Sequence, residues 1–190
     1  YYFQLLPVMV LAGARGLMLL APRWRAAVLF LLVVPLARFG PRYVMLAAGQ
    51  ESDWSDLAMH LDSREAVSKL QAAARPADTL LVWGYRPDIF AGARMLAGTP
   101  FLDSQPLTGV IADRHLTDSR SSEPDLAARN RKLLTQYRPA FIVDGLGPYN
   151  PALAITRYAG LAAWLADYEV FATTRHCVPY RLRHKEGRAP

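Results

Sequence analysis

The residues best suited to chemistry lie in the segment 83–88, WGYRPD, which follows a predicted buried strand. In open α/β sheets, ligands bind beyond the carboxyl ends of the strands. There Arg86 can contact a phosphate or a sugar hydroxyl, and Tyr85 and the tryptophan before it can stack on a sugar ring. The structural alternative, which is favoured, places both aromatic rings in the core and pairs Arg86 with Asp88 or Asp103.

A second group of polar residues lies in the loop 99–122, which is rich in turn-forming residues. Loops of this length are often functional, and this one could pack against a membrane segment as a lid. Asp103 is a lone carboxylate, and Gln105 follows it closely. Arg114 and His115, which follow an aspartate, complete the only tight cluster of functional groups in the sequence. An ordinary polar surface loop is the favoured interpretation of that cluster.

Several kinds of active site are absent from the sequence. The glycines at 145 and 147 follow a predicted strand, but Pro148 and the missing third glycine exclude a dinucleotide-binding loop. There is no G-x-S-x-G nucleophile elbow. The single cysteine, Cys177, excludes an internal disulfide and a cysteine-based zinc site, and no histidine has a partner at metal-ligand spacing. The sequence therefore predicts no metal and no bound cofactor within this chain.

The distribution of charge points to a membrane rather than to nucleic acid. Residues 1–50 contain five arginines and no Asp, Glu or Lys, whereas the other 140 residues carry 17 basic and 16 acidic side chains. A nucleic-acid-binding protein concentrates its excess charge on a folded face or tail. Here most of the net charge of +6 lies beside apolar segments, where it can set topology and contact lipid headgroups. Membrane lipids are therefore predicted partners, and nucleic acid is not.

Two apolar runs predict a helical hairpin of transmembrane helices over residues 1–48. The first run, 1–21, is about as long as the roughly 20 residues that span a hydrocarbon core, and Pro7 should kink it. The second run, 26–37, is short unless its flanks are included, with Trp24 and Tyr43 as interfacial anchors. The alternative is a pair of buried helices in a soluble protein, which the absence of acids and lysine disfavours.

The arginines between and after these apolar runs predict how the chain is oriented in the membrane. Arg23 and Arg25 should lie in a short cytoplasmic loop by the positive-inside rule. The rest of the chain then faces the periplasm or exterior of a bacterial inner membrane, crossed more than once. Arg38 and Arg42 lie at the outer end of the second predicted helix, where they would contact lipid phosphates. Because residue 1 is Tyr, further sequence is expected upstream.

Residues 49–184 predict an extracytoplasmic α/β domain, and residues 185–190 a polar tail. An apolar run at 79–83 and a second at 140–144 are typical of strands buried on both faces. Helices are predicted between and around them, and two alternating runs near the end predict an antiparallel hairpin. The expected fold is a small α/β sandwich with a mixed sheet. The predicted helices span residues 62–74, 87–98, 124–137 and 158–166, and the hairpin strands span 168–174 and 177–183. Asp62 and Ser63 are predicted to cap the first of these helices.

At four places the sequence resembles bacterial GT-C membrane glycosyltransferases, the family related to dolichyl-phosphate-mannose-protein mannosyltransferases. The segment 2–7, YFQLLP, resembles an HYY/HYF-x-x-LLP segment in the late transmembrane region. The segment 81–87, LVWGYRP, is similar to the VWGxxP strand and turn of the C-terminal extracytoplasmic domain, followed by a similar loop over 101–116. The segment 141–144, FIVD, resembles a later P-x-x-I-V-D strand.

The resemblance implies transfer of a sugar from a polyprenyl-phosphate donor to a glycan, lipid or protein acceptor outside the membrane. The resemblance covers the C-terminal part of these proteins, and their catalytic acidic residue lies far upstream of it. This chain would therefore not be catalytic alone. Tyr1 also stands where many members have His. The residues implied as contacts to lipid phosphate or substrate are Arg38, Arg42, Tyr85, Arg86, Asp103, Gln105, Arg114 and His115. The rival interpretations are a membrane-anchored glycan- or protein-binding module without enzymatic activity, and a structural subunit of a membrane complex.

Overall fold

The computed structural model describes residues 5–31, 33–50 and 55–183. By its internal contacts the chain divides into two compact units, Tyr1–Leu57 and Ala58–Pro190. The polar tail predicted at 185–190, Tyr1 and the first three residues of the YFQLLP segment lie outside the described residues.

The described part of the first unit consists of helices and short turns. Helix α1 spans Leu6–Leu19, α2 spans Pro22–Leu31 and α3 spans Val33–Ala47. The range Pro22–Ala47, which contains α2 and α3, is long and apolar enough to cross a membrane, and its most apolar stretch of 18 residues has a mean hydropathy of 1.5. Helix α1 is apolar but has 14 residues, fewer than a membrane span needs. Among the described residues there is thus one candidate membrane-spanning segment, near the N-terminus.

The basic junction between the apolar helices is not the loop that the sequence predicted. Pro22 and the two arginines after it begin α2, because proline suits the first turn of a helix. The side chain of Arg25 turns back onto the end of α1 and donates hydrogen bonds to the backbone oxygens of Leu20 (2.6 Å) and Met18 (2.5 Å). These carbonyls at a helix end need outside partners, and Arg25 supplies them. Pro7 likewise lies in the first turn of α1 and does not kink it.

The second unit contains the remaining helices and a five-stranded mixed sheet. The strands occur in the order β2-β1-β3-β5-β4, with β1 parallel to both β2 and β3, and β5 antiparallel to β3 and β4. The helices are α4 (Ser55–Ala73), α5 (Asp88–Ala93), α6 (Gln105–Thr108), α7 (Pro124–Leu134) and α8 (Ala162–Leu165). The strands are β1 (Thr79–Trp83), β2 (Leu96–Ala97), β3 (Phe141–Asp144), β4 (Tyr168–Val170) and β5 (Val178–Leu182).

Each face of the sheet buries its own core. Successive side chains of a strand point to opposite faces, so Leu80 and Val82 of β1 pack with Ala66 and Leu70 of α4. The intervening residues, Leu81 and Trp83, enter the core on the other face. That second core contains Leu134 of α7, Trp164 of α8 and three residues from short 3-10 turns, Leu153, Ile155 and Leu161. The prediction that β1 and β3 are buried on both faces is confirmed.

Several predicted boundaries differ from the structure. The helix expected to start at Asp62 already includes Ser55, so the predicted capping residues lie inside α4. The helix expected over 87–98 ends at Ala93, where Arg94 adopts a left-handed conformation (φ 55°), and β2 follows. Residues 159–165 form a 3-10 turn and a short α-helix instead of one helix. The pairing of two antiparallel strands near the chain's end is confirmed, over shorter strands than predicted.

Candidate functional site

The sheet has a topological switch point between β1 and β3. These strands are parallel neighbours, with Leu80 opposite Phe141 and Trp83 opposite Asp144. After β1 the chain passes to α5, on the face that holds α4, whereas after β3 it passes to the 3-10 turns on the opposite face. In open α/β sheets, ligands bind where neighbouring strands send their connections to opposite faces. We therefore expect a ligand site at the carboxyl ends of β1 and β3.

Glycine allows the two strand ends to approach each other closely. Gly84 has a φ of 142°, and a Cβ there would lie 3.4 Å from the carbonyl carbon of Gly145. The amide of Gly145 donates a 2.9 Å hydrogen bond to the carbonyl oxygen of Trp83. The loop after β2 closes over this end, because the amide of Ser104 donates a 3.3 Å hydrogen bond to the carbonyl oxygen of Gly84. The loop at 101–116 is thus seated at the carboxyl end of β1.

A groove of about 300 Å³ opens beside Ser104, between this loop and the start of α7. Two carboxylates, an amide and a hydroxyl line it together with exposed apolar side chains. Ile111 is 46% exposed and Leu126 is 44% exposed, so apolar surface faces the groove. A mixed lining of this kind can hydrogen-bond the hydroxyls of a ligand while packing on its carbon skeleton. The lining residues are Asp103, Gln105, Pro106, Gly109, Ile111, Ser122, Glu123, Leu126 and Ala127. We call this surface the α6–α7 groove.

Two residues predicted as contacts, Asp103 and Gln105, come together in this groove and also hold its wall. The Oδ1 atom of Asp103 accepts a 2.7 Å hydrogen bond from the amide of Gln105 at the first turn of α6. The Oε1 atom of Gln105 accepts a 3.0 Å hydrogen bond from the amide of Ala112. Each side chain therefore shapes the loop and retains polar atoms toward the groove.

The Arg114 and His115 pair does not form the polar surface cluster that was favoured. Arg114 is exposed, but His115 is buried, with 6% of its surface accessible. Burial lowers the pKa of His115 below its usual value, against the opposing charges of Asp103 and Asp113. The backbone oxygen of His115 accepts a 2.8 Å hydrogen bond from the side-chain amide of Asn150, which ties the loop to the segment after β3. His115 therefore belongs to the packed base of the loop.

Arg86 is buried and fully engaged inside the domain, so it is not a surface contact for a ligand. Its guanidinium pairs with Asp62 of α4 at 2.9 Å, and both side chains are 3% exposed. The same guanidinium donates to the hydroxyl of Ser63 (2.7 Å), the backbone oxygen of Met59 (2.6 Å) and the sulfur of Cys177 (2.8 Å). The expected pairing with Asp88 or Asp103 is therefore wrong, although the structural interpretation of Arg86 is correct.

Asp62 also binds the segment 174–177, and so connects α4 and Arg86 to the connection before β5. Its Oδ1 atom accepts hydrogen bonds from the Thr174 hydroxyl (2.5 Å) and the His176 amide (2.9 Å), and its Oδ2 atom lies 3.1 Å from the Cys177 sulfur. Burial would raise the pKa of Asp62, but these bonds and the Arg86 guanidinium outweigh it and hold the pKa below its usual value. Burial raises the pKa of the Cys177 thiol well above its usual value, so the thiol stays protonated. The cluster of Asp62, Ser63, Arg86, Thr174 and Cys177 is a structural clasp, and we call it the Arg86 clasp.

Asp144 at the end of β3 is a second buried carboxylate. It accepts hydrogen bonds from the amides of Leu146 (3.0 Å), Gly147 (2.7 Å) and Ile155 (2.9 Å). Burial raises its pKa, and these backbone bonds act in the opposite direction. Asp144 therefore folds the connection after β3 onto the sheet.

The remaining residues singled out in the sequence lie at the carboxyl end of β1 and in α3. Trp83 is a core residue, as the structural interpretation required, and its indole nitrogen donates a 2.9 Å hydrogen bond to the backbone oxygen of Leu153. Tyr85, expected in the core, is instead 57% exposed at the carboxyl end of β1. Arg38 and Arg42 belong to α3 in the first unit, where Arg38 is exposed and Arg42 is half-buried.

Sequence reasoning missed the residues of the Arg86 clasp apart from Arg86 itself. Asp62 and Ser63 had been assigned to a helix cap, and Cys177 had been considered only for disulfides and zinc. An Arg, an Asp and the chain's single Cys lie far apart in sequence, so no local pattern links them. In the described ranges 5–31, 33–50 and 55–183, no three His, Cys, Asp or Glu side chains are grouped as metal ligands. No protein-family profile, curated protein or solved structure matches this chain.

Proposed function

We propose that this chain is part of a membrane glycosyltransferase of the GT-C type, in which its α/β domain shapes the acceptor side of the reaction. The observation that carries the proposal is the α6–α7 groove, which lies at the carboxyl end of β1 beside the switch point of the sheet. Sugar would pass from a polyprenyl-phosphate donor to a glycan, lipid or protein acceptor outside the membrane.

The arrangement of the segments that carry the resemblance supports this proposal. The LVWGYRP segment contains most of β1 and its turn, and the FIVD segment is β3, its parallel neighbour. The loop at 101–116, which carries the third likeness, supplies Asp103 and Gln105 to the groove. Segments that are distant in the sequence thus converge on one edge of one sheet.

The lining of the groove suits a carbohydrate acceptor. Carboxylate and amide oxygens accept hydrogen bonds from sugar hydroxyls, and Ile111 and Leu126 offer apolar surface to the ring. A volume of about 300 Å³ is at the lower end of the range for small-ligand sites, so the groove would accept one terminal sugar unit.

The buried carboxylates of the domain support a role in binding rather than in catalysis. Asp62 and Asp144 each accept several internal hydrogen bonds and hold loops in place. We therefore place the catalytic carboxylate elsewhere in the whole enzyme. The candidate span Pro22–Ala47 would anchor the domain at the bilayer of a bacterial inner membrane, with Arg38 and Arg42 against lipid headgroups and the domain on the periplasmic side.

The test uses the full-length protein in membranes and measures transfer of labelled sugar from polyprenyl-phosphate-sugar donors. Glu123→Gln should reduce transfer about tenfold, the effect of losing one hydrogen bond to a charged group in the acceptor complex. Glu123 suits this test because it lines the groove and its side chain makes no capping hydrogen bond. Asp125→Asn is the matched control, since Asp125 is an exposed residue of the same helix outside the lining.

A full-length protein that transfers no sugar from any polyprenyl-phosphate donor would contradict the proposal. If such a protein still bound glycan in a Glu123-dependent manner, the membrane-anchored binding module would be the correct function. A reporter fused after Pro190 tests the orientation separately, and a cytoplasmic signal would place the domain on the inner side.

A further inference from the structure

The domain has a strongly basic stretch that its near-neutral total charge conceals. Residues 126–166 contain five basic side chains and one acidic one, Asp144. Asp144 is 2% exposed and is saturated by backbone amides, so it cannot neutralise the surface around it. The basic residues are Arg129, Arg131, Lys132, Arg138 and Arg157.

Two of these cations lie in one groove between α7 and the 3-10 turns. The α7 side is formed by residues spaced three and four apart, which share one face of the helix. The groove has a volume of about 370 Å³. Its lining residues are Ala128, Arg131, Lys132, Thr135, Tyr158, Ala159 and Gly160, with no carboxylate among them. We call it the α7 basic groove.

Arg131 is held in position before any ligand arrives. Its guanidinium carbon lies 4.5 Å from the centre of the Tyr158 ring, and its Nη1 atom donates a hydrogen bond to the backbone oxygen of Leu107. The Tyr158 ring is itself fixed against Trp83, with ring centres 5.4 Å apart. A guanidinium has five N–H donors, so several remain for a ligand.

Lys132 and the Tyr158 hydroxyl complete the donor set, because the Thr135 hydroxyl already donates to the backbone oxygen of Lys132. The Lys132 side chain is exposed, and the described part of the chain gives it no carboxylate partner. Burial raises the pKa of Tyr158, so its hydroxyl keeps its proton and can donate. Gly160 leaves the rim open, because a Cβ there would meet nothing within 4 Å.

We propose that the α7 basic groove binds the phosphate group of a phosphate-bearing ligand. A fixed guanidinium beside an ammonium and a tyrosine hydroxyl, with no carboxylate in the lining, matches a compact dianion with several acceptor oxygens. The phosphate can belong to a soluble phosphate ester or to a lipid headgroup. This inference does not depend on glycosyl transfer, because the α7 basic groove shares no lining residue with the α6–α7 groove.

The test is an NMR titration of the whole chain in neutral detergent micelles with inorganic phosphate, following the backbone amides of Thr135 and Gly160. Saturable shifts are expected at these amides. Lys132→Gln should weaken binding about tenfold, the effect of losing one charge-assisted bond. Arg129→Gln is the matched control, since Arg129 lies on the same helix but outside the lining and should retain normal binding.

A second arm identifies the source of the phosphate. The same variants are placed in phosphatidylcholine nanodiscs with and without phosphatidylglycerol, and binding is followed at the Thr135 and Gly160 amides, because the candidate span would attach every variant to any bilayer. Loss of binding to phosphatidylglycerol in Lys132→Gln alone would assign the groove to lipid headgroups, whereas Lys132-dependent shifts with inorganic phosphate alone would assign it to soluble esters. The proposal is overturned if neither probe binds, or if Lys132→Gln and Arg129→Gln weaken binding equally.

Discussion

At the scale of single residues, Arg86 shows how a candidate ligand contact can be part of the fold. Its guanidinium has the chemistry to meet a phosphate, but every partner that it has here is internal: a carboxylate, a hydroxyl, a backbone oxygen and a thiol. These groups come from α4 and from the connection before β5. Arg86 therefore joins segments that are 24 and 91 residues away along the chain.

Removing Arg86 should strongly destabilise the domain. Arg86→Ala leaves Asp62 buried without its counter-ion, and breaking such a pair costs about 3–5 kcal/mol. The measurement is chemical denaturation of the whole chain in neutral micelles, followed by tryptophan fluorescence. Arg181→Ala is the control, because its pair with Glu169 is exposed and such pairs contribute about 0–1 kcal/mol. Equal losses in the two variants would contradict the role of the clasp.

His115 should make the stability of the domain depend on pH. Because burial lowers its pKa in the folded state, the unfolded chain takes up the proton first as the pH falls below about 6.5. The free energy of unfolding is therefore complete above that pH and should decrease between pH 7 and 5, by at most about 1.4 kcal/mol per pH unit. Denaturation midpoints over this range should fall more steeply for the natural chain than for His115→Asn. Parallel curves would show that His115 does not contribute.

At the scale of secondary-structure elements, the junction of β1 and β3 requires glycine. Gly84→Ala places a side chain at φ 142° and 3.4 Å from the backbone of Gly145. Strain of this kind costs about 1–3 kcal/mol, so the variant should unfold at a lower denaturant concentration. Gly160→Ala is the control, because a Cβ there meets open space and the change should stay within about 0.5 kcal/mol. A neutral Gly84→Ala would mean that the strand ends can separate.

At the scale of the whole molecule, the candidate span should govern attachment to membranes. Val34 is an exposed apolar residue within Pro22–Ala47, and an Asp near the centre of a spanning helix costs about 2.5–3.5 kcal/mol of insertion free energy. Val34→Asp should therefore lower the fraction of the chain that floats with liposomes in a density gradient. Val170→Asp is the matched control in the domain, where Val170 is 51% exposed. Equal flotation of the two variants would argue against insertion of this helix.

The sequence predicted the elements whose cause is local. The buried strands β1 and β3 follow from runs of apolar residues, and α7 follows from its proline start and helical pattern. Strand β2 escaped prediction because it has two residues and no apolar pattern that distinguishes it from the end of a helix. Asp103 and Gln105 were singled out by their place in a long loop, and they do share a groove.

By itself, the amino-acid sequence determined an acid-free apolar N-terminal segment and a mixed α/β domain after it, because hydrophobic patterning and charge act locally along the chain. Only the tertiary structure decided that Arg86 and Asp62 are buried together, that the His115 side chain is buried and that the Tyr85 side chain is exposed. These outcomes depend on which distant groups meet across the sheet, since a buried charge is tolerated only where a partner satisfies it. The same long-range packing created the α6–α7 groove and the α7 basic groove, where the proposed functions can be tested.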